Sequence, residues 1–224
     1  TFYIHDGDLK NGINHINKAL EINPEAHFGR EKYQKYLAEY LLSKQINGKN
    51  ELPLALSSKD NFKDFLLIKY NSTTQANEKK LPKSEMSKAK KGIEGMMRFG
   101  NYNSPILLEV LGDIINISEW REDTPRHLLA LCFFNASENT ANTNASKRYI
   151  EKGNRAAGLI QVDGENWRKD RKEIVKNFNK IGEEFFQEIR QNEIAWIADS
   201  TKNPEVEFAK LYYDKDISNQ YPYL

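Results

Sequence analysis

Residues 7–27 read GDLKNGINHINKALEINPEAH, and this stretch decides the fold. Its apolar and small residues recur at intervals of three and four, at Leu9, Gly12, Ile13, Ile16, Ala19 and Leu20. That spacing predicts a helix with one buried face. Pro24 cannot extend the helix and disfavours helical geometry at Asn23, so the chain turns there. Small residues on both sides of Ile16 predict close packing against a neighbouring helix.

The residues before this helix belong to another helical segment. Phe2, Tyr3 and Ile4 are the end of an apolar run, and Gly7 lies in the turn that separates the run from the helix. The stretch is therefore the second half of one helix, a tight turn and a complete helix. Because its front is missing, we expect the chain to be a fragment of a longer one.

This arrangement resembles a tetratricopeptide repeat, a motif of about 34 residues that forms two antiparallel helices. Tyr3 matches the aromatic residue of the first helix and Gly7 the turn glycine. The second helix and its end match at Gly12, Ile16, Ala19, Leu20 and Pro24. Two positions depart from the pattern, with glycine in place of alanine at 12 and isoleucine in place of an aromatic residue at 16. The alternative interpretation is an ordinary amphipathic helix that ends in a proline.

The resemblance implies an all-α fold, a right-handed α-α superhelix of stacked antiparallel helical hairpins. A second helical stripe is placed as the first helix of a following unit, with Phe28, Tyr33, Tyr36, Leu37, Tyr40 and Leu41. We therefore expect residues 1–42 to hold repeat units, the first of them incomplete. Residues 43–84 are predicted to be an irregular connection, because turn residues surround a short apolar element of undetermined type, FKDFLLIKY at 62–70.

Helical spacing returns in residues 85–161, which we predict to be divergent hairpins of the same kind. Helix starts are indicated by Ser84 and by the pairs Ser104–Pro105 and Thr124–Pro125, since serine or threonine caps a helix that proline begins. The segment ASKRYIEKGNRAAGLIQ is the predicted antiparallel partner of the helix that starts at 125, with Tyr149, Ala156, Leu159 and Ile160 buried. Which helices pair as a repeat stays open.

This region has two further features: glycines inside a predicted helix, and a second match to the repeat pattern. Gly92 and Gly95 lie within a predicted helix, where each costs about 1 kcal/mol relative to alanine, so a neighbour is expected to approach there. The first-helix pattern of the repeat recurs with aliphatic residues in place of the aromatic ones, at Leu108, Leu111, Gly112 and Ile115.

Residues 165–213 are predicted to form a long helix and a short last helix, followed by a tail at 214–224. The long helix has apolar residues at intervals of three, four and seven, at Trp167, Ile174, Phe178, Ile181, Phe185 and Ile189. We interpret it as a helix that caps the solenoid; the alternative is a short coiled-coil seam through which the chain self-associates. Asn203 and Pro204 mark the start of the last helix.

Composition narrows the functional classes. The chain has 33 basic and 32 acidic residues, a formal net charge of +1, so no general attraction to nucleic acid is implied. No apolar run approaches the roughly 20 residues that a membrane-spanning helix needs. The single cysteine, Cys132, is predicted to be a small core residue. No signal peptide is visible, but because the chain is expected to begin inside a structural unit, its compartment stays open.

The sequence offers no motif for a metal, a cofactor or catalysis. Asp6 and Asp8 have the spacing of calcium ligands, yet the remaining loop positions are Lys10, Asn11 and Asn17, which do not fit. The four histidines have no other metal-ligating residue at a suitable spacing; they are His5, His15, His27 and His127. Phosphate-binding, dinucleotide-binding and nucleophile-elbow motifs are not found. We therefore expect no metal and no cofactor.

The function that follows from the resemblance is a non-catalytic scaffold for protein–protein interaction. Stacked hairpins form a concave groove that binds a peptide or protein segment. The resemblance places these residues in the groove: Ile4, His5, Lys32, Lys35, Glu39, Asp113 and Asn116. One alternative is an enzyme or enzyme subunit with a pocket near residues 43–84 or the C-terminal helices, and another is a self-associating structural protein.

Overall fold

The structure, a computed structural model, describes residues 4, 6–24, 29–57, 59–115, 123–160, 164–208 and 210–211. For residues 99, 123–125 and 164 it describes the backbone alone. The chain forms two compact units, Thr1–Arg168 and Lys169–Leu224. His5, Asn116 and the 214–224 tail, which entered the predictions above, lie outside the described residues.

The described part of the first unit is almost entirely helical, which confirms the all-α class. Its helices are α1 (Leu9–Ile22), α2 (Arg30–Ser43), α3 (Phe62–Thr74), α4 (Lys83–Phe99), α5 (Pro105–Ile115), α6 (Asp123–Glu138), α7 (Thr143–Ala157) and α8 (Gly164–Lys169). Two short strands, β1 (Gln45–Ile46) and β2 (Lys49–Asn50), form an antiparallel hairpin. Helices α1 and α2 pack together, as do α4 and α5, α5 and α6, and α6 and α7. Most of these helices therefore pack against the next one in sequence; α3 instead packs against α2 and α5, and α2 also packs against α4.

The ends of α1 agree with the sequence prediction. The helix begins after Asp8, whose carboxylate accepts a hydrogen bond from the backbone N–H of Asn11 at 3.2 Å. It ends at Ile22, and Asn23 is already extended ahead of Pro24. Ile16 and Leu9 are buried on one face, as the spacing predicted.

Small residues mark the places where helices cross closely. A Cβ atom at Gly92 would lie 2.7 Å from Cδ2 of Tyr33, so the predicted close neighbour of α4 is α2. At Gly12 the corresponding distance to Cγ1 of Ile4 is 2.6 Å. Since real side chains do not approach so closely, an alanine at either position would push the neighbouring segment away.

The connection between α2 and α4 has more structure than the sequence indicated. We refer to residues 44–82 as the insertion; it contains the strand pair and α3. Asn47 and Gly48, both with positive φ, form the tight turn between β1 and β2. Helix α3 extends over the apolar element of undetermined type and four residues beyond it, and it packs against α2 and α5.

Aromatic contacts hold the insertion to α2. The ring centroid of Tyr40 lies 5.3 Å from that of Phe62 and 5.4 Å from that of Phe65, and the rings are tilted by 54° in both pairs. Phe62 and Tyr40 are buried. The insertion is thus part of the core of the first unit.

Some predicted boundaries and burials differ from the structure. Helix α4 begins at Lys83 after Pro82, not after Ser84, and α6 begins at Asp123, two residues before Pro125. Leu159 was expected in the core between α6 and α7, but it follows the end of α7 and its side chain is 40% exposed. Cys132 is buried, and burial raises the pKa of its thiol to about 12, as expected for a core residue.

The second unit contains the long helix α9 (Arg171–Ala198) and the short helix α10 (Pro204–Phe208), which contact each other. The side-chain oxygen of Asn203 accepts hydrogen bonds from the backbone N–H groups of Glu205 and Val206 at 3.0 and 3.3 Å. Asn203 therefore caps α10, and Pro204 is its first residue, as predicted. Helix α9 starts later than the predicted long helix, because α8 already covers Trp167.

Candidate binding site

Two acidic residues of α5 are buried beneath the insertion. Glu109 is 0% exposed and Asp113 is 3% exposed. They lie four residues apart, so they share one face of the helix. A buried charge is costly unless it is paired and hydrogen-bonded. The hydrogen-bond and ion-pair partners of the two carboxylates therefore identify the segments that this helix face contacts.

Glu109 accepts four hydrogen bonds, two at each carboxylate oxygen. Its Oε2 accepts from the backbone N–H of Leu54 at 2.8 Å and from the Tyr149 hydroxyl at 2.7 Å. Its Oε1 accepts from the backbone N–H of Ala55 at 3.0 Å and from Nζ of Lys152 at 3.0 Å. All four partners donate, which is the arrangement that suits an ionised carboxylate.

Lys152 of α7 joins the two acids to the insertion. Its Nζ lies 3.0 Å from Oε1 of Glu109 and 3.7 Å from Oδ1 of Asp113, and it donates a hydrogen bond to the carbonyl oxygen of Ala55 at 3.3 Å. The same atom lies 4.6 Å from the ring centroid of Phe133, a cation–π contact. One lysine thus serves two carboxylates, and it is closer to Glu109.

Asp113 is less well satisfied than Glu109. It accepts one backbone hydrogen bond, from the N–H of Phe62 at 3.3 Å. Burial raises the pKa of Asp113 from its ordinary 3.8 to about 6; the charge of Glu109 acts in the same direction, while Lys152 opposes it. Asp113 therefore takes up a proton at mildly acidic pH.

The raised pKa of Asp113 predicts how pH affects stability. The folded state binds a proton at this carboxyl more tightly than the unfolded state, so its contribution to the free energy of unfolding falls as pH rises from about 4 to about 6. An asparagine at this position would have no such dependence. We therefore expect Asp113→Asn to gain up to about 3 kcal/mol relative to the native chain between pH 4 and pH 7.5, because the shift spans about two pKa units.

Urea unfolding of both chains across this pH range measures the difference. Glu151→Gln is the control, since Glu151 is an exposed acid of α7. A stability difference between Asp113→Asn and the native chain that stays constant from pH 4 to pH 7.5 would contradict the assignment.

A pocket opens beside this cluster, between the insertion and helices α5, α6 and α7. Its volume is about 170 Å³. Three charged residues line it, Asp113, Lys152 and Arg155, and its apolar walls include Leu129 and Phe133. Leu56 of the insertion and Leu159 after α7 also line it and are exposed, so they form an apolar rim.

Among the residues predicted to line a groove, the described charged ones contact the chain itself. Lys32 donates a hydrogen bond to Oε1 of Glu85 at 2.7 Å, across to α4. Glu39 lies 2.7 Å from Nζ of Lys69 on α3 and 3.8 Å from Nζ of Lys35. Ile4 is half-buried over Gly12, and Asp113 lies in the pocket. Asp113 and Glu39 are thus both in contact with the insertion, at different helices.

Sequence reasoning missed most of the cluster, namely Glu109, Tyr149, Lys152 and Arg155. Only Glu109 had a usable signal. In PILLEVLGDII, at 105–115, it is one of two acids in an otherwise apolar helix, four residues before Asp113. An acid in such a context indicates a buried charge that needs a partner, although it does not say which residue supplies one.

Within the ranges that the structure describes, no group of three or more His, Cys, Asp or Glu side chains is arranged to hold a metal ion. Among the same residues, no helix has both the length and the apolar character needed to cross a membrane. No protein-family model matches the chain, and neither a curated protein nor a solved structure matches it.

Proposed function

We propose that the chain is a non-catalytic interaction module of tetratricopeptide-like hairpins that binds a peptide or protein segment on the surface formed by its first helices and the insertion. One observation carries this proposal: side chains of α5 and α7 already hold the main chain of a polypeptide segment, residues 54–62 of the insertion. Partner recognition by helical repeats uses the same kind of spaced side-chain contacts.

The contacts to this segment are directed at backbone groups. Glu109 accepts from the N–H groups of Leu54 and Ala55, and Lys152 donates to the carbonyl oxygen of Ala55. Asp113 accepts from the N–H of Phe62. Such contacts depend on the path of the chain more than on its side chains, so a face of this kind is suited to binding extended polypeptide.

The repeat assignment rests on packing as well as on sequence. The packing of α2 against α4 is that of a hairpin whose two helices are separated by the insertion, and the close crossing at Gly92 and Tyr33 is the small-against-large contact that a repeat uses. Gly112 on α5 makes a similar approach, since a Cβ atom there would lie 3.1 Å from Cζ of Phe133 on α6. In this assignment α2 and α5 are first helices, and the insertion lies along them.

A partner segment would therefore contact a composite surface of first helices and insertion. Helix α3, which packs against both α2 and α5, carries the exposed Ile68. Lys35 of α2 is partly exposed, and its nearest described ion-pair partner is Glu39 at 3.8 Å. We expect the partner to bury Ile68 and to contact Lys35.

Selection of a phage-displayed library of random linear peptides on the full chain tests this function. Ile68→Asp and Lys35→Ala are the test variants. Their matched controls are Ile22→Asp and Lys18→Ala on α1, which packs against α2 and has no extensive packing with α3. We expect the enriched peptides to bind Ile68→Asp at least about tenfold more weakly, in line with the loss of one buried anchor residue, and to bind both controls as they bind the native chain.

Two results would contradict the proposal. One is a library from which no peptide is enriched over several rounds. The other is a set of enriched peptides that bind the test variants and the native chain equally, because the recognition surface would then lie elsewhere.

An enzymatic role is the second candidate, and Asp113 is the observation that favours it. A buried carboxyl whose pKa is raised to about 6, at the edge of a pocket beside the insertion, is the kind of group that acts as a general acid or base. Self-association through residues 165–192 stays a prediction from the sequence.

A further inference from the structure

Two charged groups that line the pocket beside the insertion are weakly paired within the described residues: Asp113, which shares Lys152 with Glu109, and Arg155. Nζ of Lys152 lies 3.0 Å from Oε1 of Glu109 and 3.7 Å from Oδ1 of Asp113. Arg155 is exposed and has no ion pair with any residue of the described ranges. Asp113 and Arg155 therefore remain as a negative and a positive group lining the same opening.

Helix geometry places these two groups within reach of one small molecule. Arg155 follows Lys152 by three residues on α7, which is about 4.5 Å along the helix axis and on the same face. Lys152 is itself within 3.7 Å of Asp113. A ligand that lies against Asp113 is thus one helical turn from the base of the long, flexible Arg155 side chain.

The rest of the lining is mostly apolar, with Ser57 and Asn61 as its polar members, and it leaves little room. Leu129 and Phe133 form the buried wall, and Leu56 and Leu159 form the rim. The volume of about 170 Å³ is below the roughly 300 Å³ at which pockets for drug-sized ligands begin. The occupant must therefore be small and must have an apolar part beside its polar groups.

We propose that this pocket binds a free α-amino acid with an apolar side chain. Its ammonium group faces Asp113, its carboxylate pairs with Arg155, and its side chain lies against Phe133 and Leu129. Other small ligands fit less well. A simple anion would meet the negative charge of Asp113, a simple amine would leave Arg155 without a counter-charge, and an apolar molecule would desolvate both groups without compensation. This inference does not depend on the peptide-binding proposal, because the pocket belongs to the chain alone.

Titration calorimetry of the full chain with L-leucine tests the ligand class. We expect binding with a dissociation constant below about 1 mM. N-acetyl-L-leucine lacks the ammonium, L-leucinamide lacks the carboxylate and glycine lacks the apolar side chain, so each should bind at least about tenfold more weakly, as expected for the loss of one ionic or apolar contact. Leucyl-leucine separates a free amino acid from a peptide terminus, because its two charges lie on different residues.

Three variants locate the site. Asp113→Asn and Arg155→Gln should each weaken leucine binding by about tenfold or more, whereas Arg148→Gln should leave it unchanged. Arg148 is a matched control, since it is another exposed arginine of α7 but does not line this pocket.

The proposal is overturned if leucine, isoleucine and phenylalanine all fail to bind. It is also overturned if N-acetyl-L-leucine or leucyl-leucine binds as well as leucine, or if Arg155→Gln and Arg148→Gln have equal effects. The ligand series needs only the native chain, so it decides the matter even if a variant does not fold.

Discussion

Replacing Glu109 with glutamine is expected to lower the free energy of unfolding by about 3 kcal/mol, because it removes a buried charge that four donors share. Glutamine has nearly the same volume, so no cavity is created. Its amide nitrogen, however, would face donors instead of accepting from them. Lys152 would also lose its nearest buried counter-charge. The loss of hydrogen bonds and the unpaired lysine therefore act together.

Urea unfolding followed by circular dichroism measures this loss. Tyr149→Phe removes only one of the four donors and should cost about 1 kcal/mol. Glu151→Gln, at an exposed position of α7, should change stability by less than about 0.5 kcal/mol. If Glu109→Gln is no more destabilising than Glu151→Gln, then the cluster does not hold the insertion as described.

The second large effect is expected at the crossing of α6 and α7. In Gly153→Ala, the new Cβ atom would lie 2.4 Å from both Cδ1 and Cε1 of Phe134. Phe134 is fully buried, so its ring cannot move aside without disturbing the core. We expect a net loss of about 2 kcal/mol, after allowing for the better helix propensity of alanine.

Gly158→Ala is the matched control for this substitution. A Cβ atom there would lie 2.2 Å from a guanidinium nitrogen of Arg168, but that atom is the end of a flexible side chain and can rotate away. Its effect should stay within about 0.5 kcal/mol. Phe134→Leu should cost less in the Gly153→Ala background than in the native chain if the clash is with the ring. Additive costs would contradict this explanation.

Local features of the fold were predictable because local physics determines them. Pro24 and Asn23 fix the end of α1 through backbone sterics alone, and Gly92 indicated a close neighbour because a helix does not otherwise favour glycine. The apolar run at 62–70 did not predict its own secondary structure. Its residues suit a strand as well as a helix, and the choice depends on packing against α2 and α5.

The candidate site was mostly beyond sequence reasoning, because its members come from distant parts of the chain. Asp113 was placed on the binding side by its position in a repeat-like helix. Its neighbour Lys152 lies on α7, and nothing in the order of residues indicates that the two meet. Contacts between side chains and the backbone of the insertion are still less visible, since the N–H groups of Leu54 and Ala55 carry no residue-specific signal.

The path of the insertion also has a consequence for folding cooperativity. In a simple solenoid each repeat contacts only its neighbours, so one end can unfold while the other stays intact. Here the hydrogen bond between Lys152 and Ala55 joins residues that are 97 positions apart. Helix α7 therefore cannot detach without releasing the insertion, which in turn packs on α2 through Phe62 and Tyr40. We therefore expect α2, α5 and α7 to unfold together with the insertion instead of one helix at a time.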